Sequence, residues 1–246
     1  MESMSHLVVE TLSKRFGGLV VIQHLSFCVS EGEILGVIGP NGSGKTTLFN
    51  LMTGFLRADS GSIRFSGHDI VNRRPSSICK SGITRTFQLV KPFVRLTALE
   101  NVMAGRAYGR KPARDLKQAR KEAMEILELV HLEGKRDVAA AHLQLIDRKR
   151  LEIARALAAK PNLLLLDEVF AGLNPAEMEE ALGLVMTIKN LGITLLIVEH
   201  VLKVILEVAH RVLVLSAGVK IYEGLPAEAI RDQRVVEAYL GKDFHA

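Results

Sequence analysis

Eight consecutive residues, Gly39-Pro40-Asn41-Gly42-Ser43-Gly44-Lys45-Thr46, satisfy the P-loop pattern G-x-x-x-x-G-K-S/T in full. The chemistry of that pattern is the binding of a nucleoside triphosphate. Glycine reaches backbone angles closed to other residues, so successive amide groups turn inward around a phosphate. The helix that follows points its positive end at the same place. Lys45 adds a point charge for the outer phosphates. Thr46 supplies a hydroxyl to Mg²⁺, a cation that takes oxygen ligands together with substrate phosphates. ATP with magnesium is the expected ligand.

The acidic pair Asp167-Glu168 directly follows the apolar run 163–166. Ligands of open parallel sheets gather at the carboxyl ends of strands, so Asp167 is expected to reach magnesium and Glu168 to face the terminal phosphate. There Glu168 can orient or deprotonate water. A pair of helix-capping carboxylates is the alternative. A kinase would have to admit an acceptor hydroxyl, so the pair favours hydrolysis over transfer. His200 follows another apolar run, 193–198, and is placed for the terminal phosphate; alone it would read as a capping or core histidine. Gln88 closes Arg85-Thr86-Phe87-Gln88 and is available to magnesium or to the attacking water.

These residues need elements to hold them. Leu25, Phe27 and Val29 alternate with polar neighbours, as do Ile63 and Phe65, which predicts half-buried antiparallel strands. Residues 33–38 are an apolar strand, and a helix is expected from Thr46 to about Met52. Ala119, Ala123, Ile126, Leu127 and Val130 recur at helical spacing within 113–132. A further helix is expected over 148–159, ended by Pro161 before the strand 163–166. Helix and strand then alternate through the segments around 178–188, 193–198, 201–208 and 212–215. Such alternation means an α/β fold with a parallel sheet. A turn at Gly218, a short strand and two helices close the chain.

The chain has 246 residues and only two cysteines, Cys28 and Cys79, so neither a disulfide framework nor a cysteine zinc site is expected. The amino terminus lacks the pattern of a secretory signal. The apolar runs fall short of the ~20 residues needed to cross a bilayer. Net charge is +5, but the basic residues are scattered and tryptophan is absent, which argues against a nucleic-acid groove. The densest basic run, residues 148–150, is expected to be a solvated helix face.

With these elements in order, the chain resembles, over essentially its whole length, the ATP-binding subunits of ABC transporters. The resemblance matches the P-loop, with Thr47 after it, the acidic strand end, the family's glutamine loop at Gln88 and its switch histidine at His200. Phe16, in Arg15-Phe16-Gly17-Gly18, sits where the family stacks an aromatic on adenine; a core aromatic is the alternative. Arg85-Thr86-Phe87-Gln88, Ala171-Gly172-Leu173-Asn174-Pro175 and Ala238-Tyr239-Leu240-Gly241 look like the branched-chain amino acid uptake subgroup, and amide importers and the lipopolysaccharide-export ATPase share much of this pattern.

The resemblance implies a single ATP-binding domain over 1–246: a P-loop core, an antiparallel β subdomain, a helical insert over about 91–155 and a C-terminal extension over about 216–246. It implies an ATPase at the cytoplasmic face of the membrane, held there by permease subunits, paired with a second ATP-binding subunit and served indirectly by a solute-binding protein. Gln88 joins Thr46 and Asp167 as a magnesium ligand, and Glu168, His200 and Gln88 form the catalytic set. A nucleotide-responsive regulatory subunit and a soluble ABC protein acting on nucleic acid are the competing classes.

One motif departs from the family. Its signature, normally Leu-Ser-Gly-Gly-Gln, contacts the partner's terminal phosphate and precedes a helix close to Arg150-Leu151-Glu152-Ile153-Ala154-Arg155-Ala156-Leu157. That register makes the signature Leu143-Gln144-Leu145-Ile146-Asp147. Two glycines become bulky apolar residues, a hydroxyl becomes an amide, and Asp147 is expected to bring negative charge near phosphate. Val169 replaces the proline usual after the catalytic glutamate. The expectation is an asymmetric dimer in which this chain offers a poor signature to its partner's site.

Overall fold

The computed structural model describes residues 6–88, 91–199 and 202–240. In chain order these form β1 (Leu7–Phe16), β2 (Leu19–Val29), β3 (Ile34–Ile38), α1 (Lys45–Met52), β4 (Ser60–Phe65), β5 (His68–Asp69) and α2 (Pro75–Ser81). Next come β6 (Ile83–Arg85), α3 (Ala98–Arg106), α4 (Leu116–Leu129), α5 (Leu145–Ala158), β7 (Leu163–Asp167) and α6 (Pro175–Asn190). The chain closes with β8 (Thr194–Val198), α7 (Leu202–Val208), β9 (Arg211–Ser216), β10 (Val219–Gly224), α8 (Pro226–Ala229) and α9 (Gln233–Leu240). The residues up to Pro75 and those from Thr194 onward make one compact unit, and Ser76–Ile193 make a second.

In the first unit, β2, β1, β4 and β5 form an antiparallel sheet in that order. The expected alternation holds, with Leu25, Phe27, Val29, Ile63 and Phe65 buried. In β1 the buried residues are Leu7, Val9 and Leu12, a spacing that breaks strict alternation. A register shift between Val9 and Leu12, with Thr11 at φ +46, inserts the extra residue and returns Leu12 to the core face. The second sheet segment of this unit places β3 between β8 and β9, parallel to both, with β10 antiparallel to β9. Every residue of β3 and β8 is buried, as expected of strands covered on both faces. A Cβ on Gly36 would lie 2.7 Å from the Ile205 side chain, so glycine lets α7 approach β3 closely.

In the second unit, β6 and β7 pair in parallel and three helices, α3, α4 and α5, pack together. Their starts are set by side chains: Thr97 and Glu100 form a capping box on α3, Asp115 caps α4, and Asn174 with Glu177 does the same for α6 behind Pro175. Arg106 of α3 is fully buried, and its guanidinium bonds Glu122 of α4 at 2.7 Å and the carbonyls of Ala158 and Lys111 at 2.7 and 3.0 Å. A buried charge is tolerable because each of these donors finds an acceptor.

Three expectations change. The helix placed over 113–132 is shorter, because the Asp115 side chain accepts from Gln118 N–H and starts α4 at Leu116. The helix placed at 148 begins three residues earlier, at Leu145, with Gln144 as its N-cap. The basic run 148–150 is not a solvated face. Arg148 bonds the carbonyls of Leu143 and Ala141, Lys149 those of Glu168, Val169 and Ala171, and Arg150 the Glu180 carboxylate.

Candidate functional site

The P-loop begins where β3 ends. Gly39, Gly42 and Gly44 hold φ of +151, +77 and +106, values that side-chain-bearing residues rarely adopt. A Cβ on Gly39 would lie 2.1 Å from the Leu215 carbonyl oxygen, and one on Gly44 2.8 Å from that of Val21. The loop is therefore closed to anything larger than glycine at both places. Gly44 is the N-cap of α1, which has no side-chain cap and no acidic residue in its first turn. Its leading amides are thus without an acceptor from a capping side chain, and the helix end favours an anion. The Ser43 hydroxyl is buried with no hydrogen-bond partner among the described residues, a donor that suits a phosphate oxygen. Lys45, largely buried, folds its ammonium back onto the carbonyls of Gly39 and Pro40 at 2.7 and 3.0 Å. Asn41, Gly42 and Thr46 are exposed, while Pro40 and Thr47 are half-buried. Phe16, at the end of β1, is 47% exposed, which removes the core-aromatic alternative.

The acidic strand end lies in the second unit. Asp167 is the last residue of β7, and its carboxylate pairs with Arg85 of β6 at 2.8 Å, both side chains almost fully buried. Its backbone N–H donates to the Thr86 hydroxyl at 3.0 Å. Glu168 follows in the left-handed region at φ +50, a costly conformation for a residue with a side chain and one that clusters at functional sites. Three carbonyl acceptors from Glu168 to Ala171 converge on the Lys149 ammonium of α5 and hold this turn. Gln88 donates from Nε2 to the Glu168 carboxylate at 2.6 Å, so the glutamine and the glutamate that the sequence singled out do meet.

Sequence reasoning missed the residues beneath them. Glu152 of α5 accepts the Phe87 N–H at 2.7 Å, fixing the backbone just before Gln88. Burial pushes its carboxyl up to about 7, against the pull of the Phe87 N–H and of the Arg155 and Arg85 guanidinium groups. Arg85 also lies over the Phe87 ring at 4.6 Å. No spacing rule ties Arg85 to Asp167 or Phe87 to Glu152, because the pairs are far apart in sequence: the first meets through the pairing of β6 with β7, the second where α5 packs beneath the residues after β6.

The signature segment is placed as follows. Leu143 is buried, Gln144 exposed, Leu145 55% exposed and Ile146 half-buried. Asp147 is buried, and its carboxylate pairs with Lys135 at 2.5 Å. The negative charge that Asp147 was expected to bring near phosphate is paired inside the unit, in the first turn of α5 where an acid is favourable. His200 lies outside the described residues, as does Gly241.

The pattern of the ABC transporter family matches residues 22–171. The chain belongs to that family. A second pattern, that of branched-chain amino acid ATP-binding cassette transporters, matches residues 219–245. The chain is 39% identical over 247 residues to a probable branched-chain amino acid transport ATP-binding protein of Archaeoglobus fulgidus, covering 97% of this chain and 96% of that one. It is 36% identical to the lipopolysaccharide export system ATP-binding protein of Haemophilus influenzae, covering 98% of this chain and 99% of that one. Among solved structures it superposes at TM-score 0.88 and 35% identity on the ADP conformation of an ATP-binding cassette of an ABC transporter, covering 97% of this chain and all of that one. This ABC cassette is therefore an ATP-binding subunit with the P-loop ABC ATPase fold, and it hydrolyses ATP to power transport.

Proposed function

We propose that this chain is the ATPase subunit of an importer for branched-chain amino acids or related amino acids and amides. The observation that carries the reading is the match of its C-terminal residues 219–245 to the branched-chain cassette pattern, because the ATP site itself is common to ABC ATPases of many substrates.

In this reading the amides of residues 42–47 and the Ser43 hydroxyl hold the phosphates, the Lys45 ammonium moves from its carbonyls to the outer phosphates, and Phe16 stacks on adenine. Magnesium, bound with ATP, offsets the phosphate charge; the Thr46 hydroxyl, the Gln88 amide oxygen and the Asp167 carboxylate are the hard oxygen donors that suit it. Glu168, oriented by Gln88, takes a proton from the attacking water or aligns it, and His200 faces the terminal phosphate. Two cassettes close around ATP, permease subunits receive the helical insert over about 91–155 and the glutamine loop, and the assembly sits at the cytoplasmic face of the membrane with a solute-binding protein outside. Closure follows because ATP contacted from both cassettes binds the closed state more tightly than the open one. Since Leu145 and Ile146 stand where the family places glycine, the dimer is asymmetric: this chain's own site turns over against its partner's signature, and the opposite site is slow.

The test is reconstitution with the cognate permease pair and solute-binding protein in vesicles. ATP turnover that rises severalfold with leucine, isoleucine or valine fits the proposal. Stimulation by a lipopolysaccharide-type glycolipid and not by amino acids would transfer it to the export class. Nucleotide binding with no single-turnover hydrolysis would make it a regulatory subunit.

A further inference from the structure

Helix α5 carries two side chains, one turn apart, that reach the backbone on either side of the meeting point of Gln88 and Glu168. Lys149 and Glu152 stand at i and i+3 and so share a face of the helix. Both line one small cavity together with Gln88 and Glu168. Neither is assigned above to nucleotide, metal or water, and both are engaged with backbone groups.

The Lys149 ammonium donates to the carbonyls of Glu168 at 3.3 Å, of Val169 at 3.1 Å and of Ala171. Those oxygens belong to one turn, which the chain itself closes with a bond from Ala171 N–H to the Glu168 carbonyl at 3.3 Å. Glu168 opens the turn at φ +50, and a residue with a side chain keeps that conformation only where its surroundings impose it. Buried Val169 and Phe170 seat the turn in the core, and the ammonium, with its three donors, gathers the carbonyls. The direction of the Glu168 side chain follows from the backbone so held. On the other side, Thr86 N–H donates to the Leu165 carbonyl at 2.9 Å and Phe87 N–H to the buried Glu152 carboxylate at 2.7 Å. The chain is therefore fixed up to the residue before Gln88. Between the two anchors the Gln88 Nε2 and the Glu168 carboxylate meet at 2.6 Å. A hydrogen-bonded helical turn is a spacer of set length, so α5 defines how far apart the anchors stand.

We propose that Lys149 and Glu152 are positioning residues for hydrolysis: one turn of α5 fixes the backbone of Glu168 and the approach to Gln88, and so sets where the carboxylate meets the attacking water. The inference rests on the reading of Glu168 as the group that primes the water. A misplacement of about 1 Å in such a group can cost on the order of 100-fold in rate. The phosphates are assigned to the P-loop, which belongs to the other unit. Loss of either anchor therefore lowers kcat and leaves ATP affinity in place.

The experiment uses the full chain in the assembled transporter. Lys149→Met keeps the stem and removes the ammonium; Glu152→Leu keeps the bulk and removes the acceptor. Lys149→Arg and Glu152→Gln retain a donor and an acceptor, and Glu168→Gln is the reference. The readings are kcat and KM, ATP Kd by calorimetry with magnesium, and the melting temperature. The expected result is a kcat lowered about tenfold or more in Lys149→Met and in Glu152→Leu with Kd within about twofold of wild type. The Arg and Gln variants recover most of the lost rate. An unchanged kcat in either disruptive variant, beside a Glu168→Gln chain that no longer turns over, overturns this inference alone. A fall in kcat, ATP affinity and melting temperature together, not relieved by the conservative variants, also overturns it, since the two side chains then only support the fold. If Lys149→Met does not fold, Lys149→Gln, which keeps an amide donor in place of the ammonium, carries the same outcomes. A Glu168→Gln chain that keeps its turnover overturns the reading of Glu168 and this inference with it.

Discussion

The loop over 39–46 and the segment over 143–147 are both short passages leading into a helix, and in the family both are meant to meet phosphate. In the first, three positions need a left-handed or extended backbone, and all three are glycine. In the second there is no glycine; the chain enters α5 directly from Gln144, exposes Leu145, and ties Asp147 to Lys135. A phosphate cradle is made of backbone amides, so its capacity depends on which residues let the backbone come close. The first region has the glycines that such an approach needs, and the second has none.

The largest effect separates this chain's own site from the one it offers its partner. Glu168→Gln keeps the side chain's size and its hydrogen bonding to Gln88 but removes the base, so turnover in the assembled transporter should fall by about 100-fold or more while ATP binding persists. Turnover that stays within a few-fold of wild type would break the comparison, because the slow site would then carry most of the activity.

A smaller effect tests what lies under the acidic strand end. Glu152 titrates at about 7 in the folded chain against an ordinary 4.5, because burial disfavours its charge. Below pH 4.5 it is neutral in both states and costs nothing. Between pH 4.5 and about 7 the unfolded chain ionises while the folded carboxyl keeps its proton, so the folded state loses relative stability until both are ionised above 7. Denaturant unfolding should show Glu152→Gln gaining on wild type across pH 4.5 to 7 and holding a constant lead above it, by up to about 3 kcal/mol. A difference independent of pH would mean that Glu152 keeps its charge in the fold, paired with Arg85 or Arg155.

Much of this was legible in the sequence, for reasons that differ by residue. The P-loop could be read to the last position because its chemistry is local: strand, glycines, lysine and hydroxyl lie in one stretch. Gln88 and Glu168 were legible as separate motifs, but their hydrogen bond comes from the pairing of β6 with β7. Arg85, Glu152 and Lys149 carried no local signal, since each acts on a partner far along the chain. The basic run 148–150 misled for the same reason, as its acceptors are carbonyls that no composition rule counts. Phe16 left two readings open, and its exposure removes the core one. Asp147 looked like a charge aimed outward because its type was visible and its partner, Lys135, was not.

The central claim is that the second region limits a site and the first does not. It is tested most directly by ATP turnover of the transporter assembled with the cognate second cassette, before and after Leu145→Gly combined with Ile146→Gly. Restored glycines should let the slow site turn over and raise the rate by about twofold, the most that a second equivalent site can add. An unchanged rate would contradict the claim, and the segment over 143–147 would then be no obstacle to hydrolysis.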